Sequence, residues 1–237
     1  MKTLLAVLLV VIGVSSYAIS IYDIQYTSVP GMDNTYPSPY LGKSVTVDGV
    51  VTASGYRSGG FFISEPTGGM WRSILVLDKG NNVEIGYRIQ VTGIVGESFG
   101  MTCIQNIDRV RILEQGHPLP QPLNVTTGQL SRPIEAEAYE GALVRLVNAT
   151  CSQSINTANR FSVSDGTGLC FILTASFSER SINLKPKVGD QFSSITGIVS
   201  YSFGEYSVSP RNRSDAIVMQ PVFNHNRSWG RIKSIYK

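Results

Sequence analysis

Residues 40–113 and 139–218 read as the same text twice, and this duplication constrains the fold more than any single residue does. Tyr40-Leu-Gly42 opens the first copy and Tyr139-Glu-Gly141 the second, each ahead of an alternating apolar stretch. Phe61-Phe-Ile63-Ser-Glu65-Pro-Thr67-Gly68 returns as Phe161-Ser-Val163-Ser-Asp165-Gly-Thr167-Gly168. Val91-Thr-Gly93-Ile-Val95 returns as Ile195-Thr-Gly197-Ile-Val199, and Ser98-Phe-Gly100 as Ser202-Phe-Gly204. The period is about one hundred residues, well beyond solenoid repeats, so each copy has to be a domain with its own core.

The first residues stand apart from this pattern. Met1-Lys2 supplies a positive start, 3–14 a short apolar run, and Ser16-Tyr17-Ala18 small residues before a cleavage point. That layout predicts a signal peptide over 1–18 and an exported product, secreted or held in the periplasm or at the cell surface. The apolar run is too short for a comfortable membrane span, and no transmembrane span is expected once it is removed. Loss of Lys2 would reduce the formal charge from +3 to +2. So small an excess does not by itself point to a polyanionic partner.

Within the first copy five strand signals follow one another. Val45, Val47 and Val51 alternate with polar residues; Phe61–Glu65, Trp71–Asp78, Tyr87–Val95 and Thr102–Leu113 supply the rest, separated by Gly- and Pro-containing turns. The second copy repeats them at 142–151, 160–164, 168–174, 191–199 and 205–209, with a last segment near 216–219. Gly49 and Gly93 lie inside strands, as closure of a small barrel requires where strands bend sharply. The expected class is all-β: two tandem five-stranded Greek-key barrels behind a signal peptide. The divisions are 1–18 signal peptide, 19–39 lead-in, 40–114 barrel 1, 115–138 Pro-rich linker, 139–219 barrel 2 and 220–237 a basic, aromatic tail. Ile19 to Tyr26 reads as a short strand, 125–130 as a helical turn, and 176–187 as a connector with room for another.

Cys103, Cys151 and Cys170 form no framework of paired spacings. With Cys151 ending one strand and Cys170 beginning the next but one, the two are placed at opposite barrel ends, too far apart to bridge. Free, buried thiols are expected. No Cys/His cluster has zinc-ligand spacing, and no metal or cofactor is expected.

The run V-x-V-x-G-x-V, F-x-I/V-x-D/E-x-T-G, V/I-T-G-I-V and F-G resembles the OB-fold in its nucleic-acid-binding style. Over about 40–220 the chain is similar to tandem OB modules of secreted bacterial proteins, the kind often attached to extracellular nucleases. Ser20–Gln25 and Val125–Leu130 add to that likeness. The resemblance implies a ligand face on strands two and three with the loops after strands one and four, aromatic rings stacking on bases and cations following phosphates. Parity turns Phe61 and Ile63 inward and Phe62 outward. The residues so selected are Tyr56, Arg57, Phe62, Trp71, Arg72 and Phe99 in the first copy, and Arg160, Phe171 and Tyr201 in the second.

An enzyme is not expected. Neither His117 nor His225 has a nucleophile or carboxylate at a fixed offset. Gly42-Lys43-Ser44 mimics the end of a phosphate-binding loop, but Pro37 stands where that loop requires glycine and a strand follows. The expected role is binding of single-stranded nucleic acid or a similar extended polymer. The rival is a cell-envelope scaffold for protein or glycan, and a third class is a subunit supporting a secreted enzyme.

Overall fold

The computed structural model describes residues 19–31, 35–57, 59–177, 182, 184–202 and 204–219. The leader reading over 1–18 and the tail beyond 219 lie outside the described residues.

The first copy folds as β1 (Ser44–Tyr56), β2 (Gly60–Ser64), β3 (Ser73–Leu77), β4 (Arg88–Ser98) and β5 (Met101–Glu114). These close in the order β1-β2-β3-β5-β4. All pairings are antiparallel except β3 with β5. After β6 (Leu123–Asn124), α2 (Thr127–Leu130) and α3 (Pro133–Ala136), the second copy supplies β7 (Leu143–Gln153), β8 (Arg160–Ser164), β9 (Cys170–Leu173), β10 (Gln191–Ser202), β11 (Glu205–Ser209) and β12 (Ala216–Val218). Its closed ring is β7-β8-β9-β11-β10, again with one parallel pair, β9 with β11, while β6 and β12 extend it. This is the Greek-key connectivity of an OB-fold barrel, built twice.

The expected duplication holds strand for strand, with one break. β5 runs unbroken past β4 through a bulge near Asn106, whose φ is 49°. Its counterpart is cut in two at Pro210, which has no N–H to give a ladder and sits where Asn106 sits in the first copy. The recurring Thr-Gly-Ile is the inner side of that bend. A β-carbon on Gly93 would lie 2.7 Å from Ile104 Cγ2 and 2.9 Å from Gln105 O, and one on Gly197 2.6 Å from Ser209 O.

Residues 19–26, expected as a strand, contain a helix instead, α1 (Ile21–Gln25). The signal was legible as a capping box: Ser20 accepts from the Asp23 amide at 3.1 Å, and Asp23 accepts from the Ser20 amide at 3.0 Å. Ile21 and Ile24 drop into the barrel 1 core beside Val47, Phe61 and Ile74. The second copy does the same with α2, capped by Thr126 and Gln129, with Leu130 buried. The acid of the turn between strands two and three secures each helix. Tyr22 N–H donates to Glu65 at 3.0 Å, and Thr127 N–H to Asp165 at 3.0 Å.

All three cysteines are buried and free, but the geometry differs from the one expected. Cys151 and Cys170 both pair with Val163, so they share a row with β8 between them. Two strand spacings, about 9–10 Å, separate them rather than the length of the barrel. Burial pushes the Cys103 and Cys170 thiols up to about 12. A thiol reagent near neutral pH is therefore expected to label none of the three rapidly in the native chain and all three after unfolding in guanidinium. Rapid labelling without denaturant would contradict this packing.

Candidate nucleic-acid interface

Parity was right about Phe62: it turns away from the barrel 1 core that holds Phe61 and Ile63. It does not turn to solvent. Ala53, Tyr56, Phe62, Leu75 and Met101 form one continuous apolar cluster with the second barrel, and Phe62 is 0% exposed. Its ring meets Tyr56 edge-on at 4.9 Å and Phe177 at 6.4 Å. Tyr56 also pairs as an isolated bridge with Phe177, and Arg57 N–H donates to Ser176 O at 3.0 Å. Tyr201 is buried, packed on Tyr206 at 4.8 Å and set over Gly100, where a β-carbon would lie 2.4 Å from its ring. Tyr56, Phe62 and Tyr201 therefore have no ring face to offer a base in this arrangement. They are the joint between the barrels.

Polar groups complete that joint. Trp71 N–H donates to Ala138 O at 2.7 Å, and Arg211 reaches Thr52 O at 3.0 Å. Thr102 N–H donates to buried Glu140 at 2.9 Å, and the Tyr206 hydroxyl donates to buried Glu137. Burial pushes the Glu137 carboxyl up to about 7, with Glu97 adding repulsion. Burial, and after it the charges of Glu137 and Glu97, raise Glu140 well above the usual carboxylate range. Burial likewise raises Glu97.

Trp71 and Arg72 lie at the far end of the β2–β3 hairpin from Arg57, beyond the Ser64–Ser73 pair rather than near Gly60–Leu77. Trp71 belongs to the turn, with φ 65°, and meets Tyr26 edge-on at 5.6 Å. Arg72 is ion-paired with Glu65 and lies over the Tyr22 ring at 5.1 Å. This pair is tied to α1 and is separate from the remaining residues.

Arg57, Arg160 and Phe171 come together, with Phe99 beside Arg57. A cleft of about 180 Å³ on the outer face of the second barrel is lined by Arg57, Arg160, Phe171, Leu173, Ser202 and Glu205, among others. Phe171 and Leu173 alternate outward on β9 while Cys170 and Ile172 point in, so this half of the site was readable by period two. Arg160 stacks over the Phe171 ring at 4.1 Å and pairs with Glu205 at 2.7 Å. Arg57 reaches in from the first barrel, 5.1 Å from the Tyr56 ring and 5.7 Å from that of Phe99. Phe99 and Gly100 form the two-residue β4–β5 hairpin turn with φ of 55° and 86°. Positive φ at a bulky residue is uncommon, and this one is 64% exposed.

The strand-two/three face thus has opposite fates in the two copies. Barrel 1 gives it up to barrel 2, whereas barrel 2 leaves Arg160, Phe171 and Leu173 of its own face partly exposed around the buried Ser162. Glu205 was not anticipated: it stands 45 residues from Arg160 and only the barrel closure joins them. Phe203, the counterpart of Phe99, lies outside the described residues. Among the described residues no group of His, Cys, Asp and Glu is arranged to hold a metal, and no helix is long and apolar enough to cross a membrane.

Topology and this surface together define a tandem OB-fold-like barrel protein. No protein-family model and no curated protein matches the sequence. Among solved structures, the Ifi202 HINa domain in complex with 20bp dsDNA is 14% identical, covering 76% of this chain and 96% of its own, with a TM-score of 0.31. The p204 HINb domain is 10% identical, covering 76% and 97%, with a TM-score of 0.32. At these identities and scores, no property of those proteins transfers to this chain.

Proposed function

We propose that this chain is an exported, non-catalytic binding protein that holds an extended single-stranded nucleic acid across the β8–β9 face of its second barrel. The observation that carries the reading is that Arg57 and the stacked pair Arg160–Phe171 line one cleft on the outer face of the second barrel, with the exposed Phe99 ring beside Arg57 at its edge. A guanidinium laid on a ring keeps its N–H groups directed sideways, where a phosphate meets them, while an exposed ring accepts a base. The cleft is smaller than the clefts of several hundred Å³ that enclose whole ligands, so it suits one ring of a polymer passing over it. Glu205 offsets part of the charge at Arg160, and the net charge is only +3, so affinity in the micromolar range with marked salt dependence is expected.

Labelled single-stranded DNA and RNA titrated with the full chain, followed by fluorescence anisotropy at low and moderate salt, tests this. Phe99→Ala is expected to weaken binding roughly 5- to 100-fold, the effect of one base stack. Trp71→Ala, on the separate patch, should leave it unchanged. Absence of binding at low salt would overturn the reading. It would favour the scaffold alternative, whose supporting observation is that barrel 1 already uses its equivalent face for protein contact.

A further inference from the structure

We propose that the seam between the two barrels is a pH-sensitive joint, held closed while Glu137 and Glu140 carry protons and loosened as they lose them. Both residues are 3% exposed and lie on the segment that leads from α3 into β7. Three carboxyls meet there, Glu137 and Glu140 from that segment and Glu97 from β4. Their hydrogen-bond donors are all neutral. Thr102 N–H bonds Glu140, Thr102 Oγ1 bonds Glu97 at 2.9 Å, Ser38 N–H reaches Glu97 at 3.4 Å, and the Tyr206 hydroxyl bonds Glu137.

The ionisable groups around the three carboxyls are Cys103 from β5, Tyr56 from β1, Tyr201 from β10 and Tyr206 from β11, none of them a cation at neutral pH. Two cations among the described residues stand at the seam: Arg57, whose charge acts on Tyr56, and Arg211, which reaches Thr52 O and is ion-paired with Asp215. Among the described residues, none of the three glutamates takes part in an ion pair. α1 contributes Gln25, which adjoins Glu140; Gln25 Oε1 and Glu140 Oε2 are both buried acceptors without a partner. The Gln25 side chain favours the charged form of Glu140, but burial outweighs it, and a protonated Glu140 sits here without need of a counter-ion. Deprotonation instead buries up to three like charges with no counter-ion, which costs far more than any surface pair returns.

The sign follows from burial. These carboxyls hold protons more tightly folded than in an unfolded chain, where a glutamate titrates near about 4.3. Their contribution is complete below that value and is lost as pH rises through about 7 for Glu137 and through the raised range of Glu140. Hydrogen exchange of the full chain, followed by mass spectrometry from about pH 5.5 to 8.5 and corrected for intrinsic rate, tests the joint. Peptides covering 97–103 and 136–142 are expected to lose about tenfold in protection across the range, while those from β8 and β9 hold. The double variant Glu137→Gln, Glu140→Gln should keep its acid-pH protection throughout. Equal seam protection at both ends of the range in the unaltered chain would overturn the proposal whether or not the variant folds. So would an undiminished pH response in a folded double variant.

Discussion

Phe62→Ala is expected to destabilise the chain by about 3–5 kcal/mol, the usual loss for a buried phenylalanine whose site cannot collapse. The ring is wholly enclosed, with Tyr56 and Phe177 against it, and it belongs to the apolar cluster that runs unbroken into the second barrel. Truncation leaves a void shared by two domains, so neither can close it alone. Urea unfolding monitored by circular dichroism reads the change as a lower midpoint. A loss below about 1 kcal/mol would mean that the barrels do not pack through this face. Ser162 occupies the matching position in the second copy, buried with an unpartnered hydroxyl. Ser162→Ala is therefore expected to be neutral or slightly stabilising. The same landmark thus carries opposite consequences in the two copies.

Gly197→Ala and Gly93→Ala should each cost about 1–3 kcal/mol, the range for overpacking a closed core. Neither position needs a left-handed backbone, so the loss is purely one of space. At Gly197 the added carbon meets the Ser209 carbonyl, which is fixed in the ladder between β10 and β11 and has nowhere to move. At Gly93 the nearest atom is a methyl of Ile104, with Gln105 O just beyond. The side chain can yield a little where the carbonyl cannot, so Gly197→Ala is expected to be the worse of the two. Thermal unfolding of the two variants side by side checks both the size and the order. Equal or negligible shifts would show that the bend has room the packing denies.

Much of the fold was legible because period and punctuation are local. Alternation in 44–51 and in β8 and β9, the internal glycines and the Phe99-Gly100 hairpin turn each report a backbone constraint that acts within a few residues. α1 was misread because five residues with three apolar side chains satisfy a strand template, although the Ser20–Asp23 cap was present to correct it. The second half of the site was also open to parity, since Phe171 and Leu173 alternate outward whatever lies beyond them.

What lies beyond them is the part no local pattern contains. Parity states that Phe62 leaves its own core, but not whether water or another domain receives it. The barrels meet through Tyr56, Phe62, Tyr201 and the glutamates before β7, which are distant in sequence and apolar or acidic by turns. Alternation and turn chemistry by themselves determined two closed five-stranded barrels, which of their faces point outward, and where each strand bends. Only the tertiary structure decided that barrel 1 loses its outer face to barrel 2, that Arg57 crosses to join Arg160 and Phe171, and that Glu137 and Glu140 are buried together. The physical reason is that burial between domains is a property of two surfaces at once, and a sequence written along one strand specifies only one of them.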